Sequence, residues 1–224
     1  MHLARAPSRS TFERGGNVEL IDHLWRDLDR FARAGARPVE ILTDPGAWVA
    51  FTYRLGRAVR RLPRLLRVPA VCAHKPLELL IGTLARVALP PSAEVGGGLR
   101  VGRVGGIRVA AHAYIGRDCD LSEGVTIADS GGAPWIGDRV QIGPGAKLVG
   151  PIRVGNDAAI GPNAVVETDV PDGASVAGIP ARLIAGTGSR GRLVPGRRRP
   201  PLVDAMRGMV RGLLPRPTQL LLRG

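Results

Sequence analysis

Aromatic side chains are scarce: three Trp, three Phe and two Tyr make up 4% of 224 residues. No basic run is interleaved with stacking residues, so a single-strand nucleic-acid platform is not supported and no nucleic-acid partner is expected. Cysteine is equally rare. Cys72 and Cys119 are neither adjacent nor in a CxxC spacing, which argues against a disulfide framework or a zinc site; no metal is expected. Long apolar runs are missing too. The most apolar stretch, Val68 to Leu89, is interrupted by His74, Lys75, Glu78 and Arg86, which would be costly in a bilayer core. Met1 to Gly16 is polar and contains Pro, Ser and Arg rather than the order of a secretion signal, so a cytoplasmic location is expected.

Acidic residues are outnumbered, 19 against 32 Lys and Arg, giving a net charge of +13. The excess is uneven. Residues 186–224 hold nine Arg and one Asp, a net +8, which leaves only +5 on the preceding 185 residues. The charge therefore belongs mainly to a basic tail of 186–224, in which Leu202, Val203, Met206, Met209, Val210, Leu213 and Leu214 fall on one helical face. Such a helix suits a membrane surface or an enzyme partner; packing on its own assembly, or disorder, is the commoner outcome.

Periodicity divides the rest. After a flexible N-terminus of 1–16, the spacing of Val18, Ile21, Trp25, Leu28 and Phe31 predicts an amphipathic helix over Asn17 to Ala34. Further helices are expected over Ala47 to Arg60 and over Pro76 to Leu89, the latter closed by Pro90 and Pro91, so that 17–91 reads as a helical domain.

The region 92–185 obeys a different rule. Aliphatic residues recur every six positions: Val95, Val101, Ile107; then Ile115, Leu121, Ile127; then Ile136, Ile142, Leu148, Val154, Ile160 and Val166. Two positions before each member of the last series stands a second small or apolar residue: Pro134, Val140, Ala146, Ile152, Ala158 and Ala164. No α-helix or alternating strand has period six, and a β-sandwich would show period-two alternation. The pattern predicts a triangular solenoid in which each hexapeptide gives one short strand and one turn, with the aliphatic side chains stacked inside. Two intervals break the rhythm, eight residues from Ile107 to Ile115 and nine from Ile127 to Ile136, so Ala128 to Pro134 should leave the coil as a loop.

Several motifs narrow this further: Tyr53-Arg54-Leu55-Gly56, Gly105-Gly106-Ile107, Gly124-Val125-Thr126-Ile127, Ile142-Gly143-Pro144-Gly145-Ala146-Lys147, Ile160-Gly161-Pro162-Asn163, and Gly178-Ile179-Pro180-Ala181-Arg182. With them, residues from about 41 to 182 resemble the serine O-acetyltransferase family. The resemblance implies a mainly β chain, a left-handed parallel β-helix of hexapeptide repeats with an N-terminal α-helical domain. It also implies a homotrimer or dimer of trimers, and acetyl-CoA or another acyl-CoA held in a groove between two β-helices. Carried over to this chain, the donor would lie near Gly143, Pro144, Gly161 and Pro162, with Arg182 approaching a phosphate. The glycines serve the solenoid in any case, since its tight corners require them.

The chemistry is where the chain departs from the family. The catalytic histidine that precedes the Gly-Gly-Ile coil, and the polar residue before it, are replaced here by Arg103 and Gly102; a second family histidine, closing the loop, is replaced by Ala133. Arginine stays protonated and so cannot act as the base, although it can bind a carboxylate or an oxyanion. The remaining candidates are His112, the one histidine of the β-helix, whose ordinary role at a corner is none, and Asp129 with Ser130 in the protruding loop. Asp27 and Asp29 suit the amino group of an amino-acid acceptor, though a solvated helix face also explains them. The expectation is an acyl-CoA-dependent transferase, diverged toward another small amine or hydroxyl acceptor or another base. The alternative is a catalytically silent trimeric scaffold.

Overall fold

Strands of two to four residues stack into three sheets, one on each side of a triangular coil. The computed structural model describes residues 22–27, 29–30, 43–102 and 105–190. Sheet A runs β1 (Val87–Ala88), β4 (Ile107–Val109), β7 (Thr126–Ala128), β10 (Lys147–Val149) and β13 (Val165–Val166). Sheet B holds β2 (Glu94–Val95), β5 (Tyr114–Ile115), β8 (Trp135–Ile136) and β11 (Arg153–Val154). Sheet C holds β3 (Arg100–Val101), β6 (Asp120–Leu121), β9 (Gln141–Ile142), β12 (Ala159–Ile160), β14 (Ser175–Ala177) and β15 (Arg182–Ala185). Every pair is parallel except β14 with β15. From β1 to β13 the paired strands are three places apart in the chain, so the chain is a parallel β-solenoid, the left-handed β-helix anticipated from the repeats.

The register defines three inward columns: Leu89, Val109, Ile127, Leu148, Val166; Val95, Ile115, Ile136, Val154, Val170; and Val101, Leu121, Ile142, Ile160, Val176. All are buried, each contributing about 1.5–3 kcal/mol by leaving water. One register expectation is corrected. Ile107 pairs with Val87, while Val109 pairs with Ile127, so Val109 is the column member and Ile107 stands in the preceding small-residue position. The eight-residue interval therefore lies between Val101 and Val109, and the two extra residues fall at the corner 102–106. Sequence spacing alone could not distinguish two aliphatics separated by one residue. The loop after Ile127 is where it was expected, between β7 and β8.

Glycine is obligatory along one corner. A Cβ on Gly116 would lie 2.5 Å from the Gly137 carbonyl and 2.4 Å from Asp138 Oδ1. The Asp138, Asn156 and Asp172 side chains each accept a backbone N–H from the coil above or below, at 2.7–2.8 Å, lacing that corner together. On the outer face of sheet B, Tyr114 and Trp135 stack with centroids 5.3 Å apart and planes 2° from parallel, and Arg153 lies 4.7 Å over Trp135.

Helix α1 (Pro45–Arg60) begins at an Asp44 side chain that accepts from Gly46 N. Helix α2 (Arg64–Ala85) starts twelve residues before the expected Pro76 and contains Pro69 and Pro76. Both prolines face solvent, where water can satisfy the carbonyls they leave unpaired. The helix also ends earlier than expected, because Val87 and Leu89 stack on Ile107 and Val109 and open the β-helix within the range first read as helical. Opposite α1, α2 shows an apolar strip: Leu65, Leu66, Val68, Leu79, Leu80 and Leu84 are all more than half exposed. No helix of the described residues is long and apolar enough to cross a membrane.

The Tyr53-Arg54-Leu55-Gly56 motif docks these helices on the first coil. Tyr53 Oη donates to Ala93 O at 2.7 Å and accepts from Val95 N at 3.1 Å. Arg54 donates to the carbonyls of Val95 and Gly96 and to Asp27, whose carboxylate also accepts from Gly98 N and Leu99 N. Gly56 lets α2 approach, since a Cβ there would lie 2.8 Å from the His74 ring. Asp27, only 2% exposed, thus holds the fold together and is not available to an acceptor. His23 packs over Gly97, and burial, with Arg54 and Arg117 near, pushes its pKa down to about 3. The helix predicted over Asn17 to Ala34 is seen as helical residues 22–27 and 29–30; its remainder, the N-terminus 1–16 and the tail helix at Leu202 to Leu214 lie outside the described residues.

Candidate active site

Four turns that lead from sheet C into sheet A stack into one edge, and the turn that doubles back from β14 to β15 caps it. From top to bottom they are 102–106, 122–124, 143–145, 161–163 and 177–181. Gly143, Pro144, Gly161 and Pro162 therefore share an edge, with both prolines exposed and Gly143 buried. Arg182 closes it, since it pairs with Ala177 in β15, while Ala181 N donates to Val165 O at 2.8 Å; the Arg182 side chain is exposed. Four coil steps of about 4.8 Å give the edge a length of about 19 Å.

Its glycines have a structural cause. A Cβ on Gly143 would lie 2.8 Å from Pro162 N, and one on Gly161 would lie 2.8 Å from the Ala177 methyl. Coil stacking alone therefore requires both. What the edge offers a ligand is its flatness and its exposed turns, with a cation at the lower end.

At the upper end the corner is enlarged. Gly102 N donates to Leu121 O at 2.6 Å, and Gly105 O accepts from Gly124 N, so both residues rest on the coil below. Arg103 lies outside the described residues. A cleft of about 910 Å³ adjoins this corner between the two helices and the top of sheet A; its lining includes Val49, Tyr53, Ile81, Gly105, Gly106 and Arg108.

His112 and Asp129 occupy a different edge, where sheet A turns into sheet B. Ala110 N donates to Ile127 O at 2.9 Å and Tyr114 N to Pro134 O at 3.1 Å, so the turn holding His112 lies directly above the loop that holds Asp129. Both side chains are exposed. Asp129 Oδ1 accepts from Gly132 N at 3.0 Å, shaping its own loop. The structure thus brings His112 and Asp129 together, and brings Gly143, Pro144, Gly161, Pro162 and Arg182 together, on opposite edges of sheet A.

Sequence reasoning passed over Glu123. It lies in the turn directly below the enlarged corner, its Cβ 3.3 Å from the position a Cβ on Gly105 would take. Its carbonyl accepts from Gly145 N at 2.8 Å and its side chain is exposed. Among the described residues of this edge above Arg182 it is the one ionisable side chain. Stacking the coils at the 20-residue offset that pairs Val101 with Leu121 would have found it, because that offset puts 123 in the turn just after β6.

Comparison with known proteins bears on this arrangement. The family model for bacterial transferase hexapeptides (six repeats) matches residues 133–168. A serine acetyltransferase of Mycobacterium tuberculosis is 36% identical over 150 residues, covering 64% of this chain and 62% of that protein. A serine acetyltransferase of Helicobacter pylori is 33% identical over 151 residues, covering 64% of this chain and 84% of that protein. Among solved structures, the serine acetyltransferase of Neisseria gonorrhoeae in complex with serine aligns with a TM-score of 0.65 at 26% identity, covering 75% of this chain and 70% of that one. The Brucella abortus serine acetyltransferase in complex with coenzyme A aligns with a TM-score of 0.64 at 28% identity, covering 76% and 68%.

Proposed function

Since the chain belongs to the serine acetyltransferase family, we propose that it transfers an acyl group, most simply acetyl, from coenzyme A to a small amine or hydroxyl acceptor. The observation that carries this reading is the single edge holding Gly143, Pro144, Gly161, Pro162 and Arg182. The bound coenzyme A of the Brucella relative and the bound serine of the gonococcal one support a thioester donor and an amino-acid-sized acceptor. In this reading Arg182 pairs with donor phosphates, since a guanidinium fork matches phosphate oxygens. The pantetheine arm then runs up past Pro162 and Pro144, and the thioester reaches the enlarged corner at 102–106. The adjoining cleft, with Arg108 in its wall, takes the acceptor and its carboxylate.

A homotrimer belongs to the same proposal. His112 and Asp129 lie across sheet A from the donor edge, so they enter the site only from a neighbouring chain whose other edge faces this groove. The apolar strip on α2 supports such an assembly, because leaving that much hydrocarbon in water is costly. Arg103 serves as an anion-binding group for the acceptor carboxylate rather than as a base.

The test is thiol release from acetyl-CoA with a panel of amino acids and amines, alongside calorimetry for coenzyme A. Turnover with micromolar donor binding supports the transferase. Donor binding with no turnover across the panel favours the catalytically silent scaffold, and absence of both rejects the donor edge. Light scattering should report three chains or a multiple; a monomer would remove the shared groove.

A further inference from the structure

We propose that Glu123 is the general base of the transfer, taking the place of the family imidazole whose position is occupied here by Arg103; the proposal rests on the acyl-transfer reading above. An acceptor hydroxyl or neutral amine must lose a proton as it attacks a thioester, so a donor edge without a base would be slower by about 10² to 10⁴. Along the turns 105–106, 122–124, 143–145 and 161–163, glycine, proline, serine and asparagine supply every position but one. That one is Glu123. Its side chain is exposed, and among the described residues it makes no ion pair or side-chain hydrogen bond. Arg26 is paired with Asp118 and Arg54 with Asp27, so neither of these neutralises it.

Its position along the edge suits the role. Three coil steps of about 4.8 Å separate the turn of Glu123 from that of Ala177, next to Arg182, a rise of about 14 Å. A donor anchored by its phosphates at Arg182 and extended past Pro162 and Pro144 brings its thioester to this turn. Loop 129–134 has Ala133 at its end and adds no imidazole; His112, in the turn above that loop, lies across sheet A from Glu123 and reaches the groove only from a neighbouring chain.

The step balances without a further reagent. The acceptor N or O lone pair attacks the thioester carbonyl carbon while Glu123 takes the acceptor proton. The tetrahedral intermediate collapses with cleavage of the C–S bond, and Glu123 returns the proton to the departing thiolate. The products are the acylated acceptor and free coenzyme A, with the carboxylate regenerated.

Glu123→Gln keeps the shape and removes the basicity. It should lower kcat by about 10² to 10⁴ and abolish the acidic limb of the kcat/KM profile, with acceptor KM and coenzyme A affinity within about threefold. Glu123→Asp should recover part of kcat. Glu167→Gln, an exposed carboxylate elsewhere on the β-helix, should behave as wild type. Unchanged kcat in Glu123→Gln overturns the proposal while leaving the transferase intact. A raised acceptor KM at unchanged kcat overturns it as well, assigning Glu123 to ammonium binding. Absence of turnover in the wild type with every acceptor overturns both this proposal and the transferase reading.

Discussion

Removing the Asp27 carboxylate should detach the helices from the β-helix, and the cost follows from what the carboxylate holds. It accepts from Arg54 Nε at 2.9 Å, Gly98 N at 2.6 Å and Leu99 N at 2.8 Å, in a site where Arg54 is 1% exposed. Asp27→Ala leaves a buried guanidinium, which cannot shed its charge, together with two backbone donors lacking acceptors. Breaking a buried pair from one side costs about 3–5 kcal/mol. Arg54→Met differs in kind. Burial pushes the Asp27 carboxyl up, and Arg54 opposes that shift. Without the guanidinium, the folded pKa stands well above the unfolded value of about 3.9. The folded state then holds the proton more tightly, so stability is full below the unfolded pKa and falls as pH rises through the folded one. Urea unfolding followed by circular dichroism between pH 4 and 8 distinguishes the two variants. Asp27→Ala should show a deficit at every pH in that range, whereas Arg54→Met should approach wild type at pH 4 and fall away toward pH 8. A loss below about 1 kcal/mol in Asp27→Ala, or a flat profile in Arg54→Met, would refute this account of docking.

Other consequences are open to simpler measurements. Gly116→Ala drives a methyl into the Gly137 carbonyl and should destabilise by about 1–3 kcal/mol in thermal melting, as overpacked sites do. Cys72 is exposed while Cys119 is buried, with its thiol pushed up to about 12 by desolvation; a colorimetric thiol reagent at pH 8 should titrate one thiol in the native protein and two in denaturant. The chain stays docked past residue 185, because Ser189 Oγ donates to Arg139 O at 2.5 Å and Ser189 N to Asp157 O at 2.8 Å. Truncation after residue 190 should therefore leave the melting temperature within about 1 °C, and truncation after Ala185 should lower it measurably.

The sequence by itself determined the solenoid, because a six-residue period with one aliphatic per repeat has no other compact solution: each column of Ile, Val and Leu must stack on itself to leave water. It also located the loop at Ala128 to Pro134 and the two sets of candidate residues. The tertiary structure decided which aliphatic counts at the first irregular corner, where Ile107 and Val109 both point inward and only pairing with Val87 and Ile127 separates them. It decided that Asp27 is a structural anchor, since a carboxylate on a helix face reveals nothing about the backbone donors that will meet it. And it put Glu123 on the donor edge and His112 across the sheet, because which corners stack depends on the number of residues in every intervening coil, a sum that the spacing of any one motif does not contain.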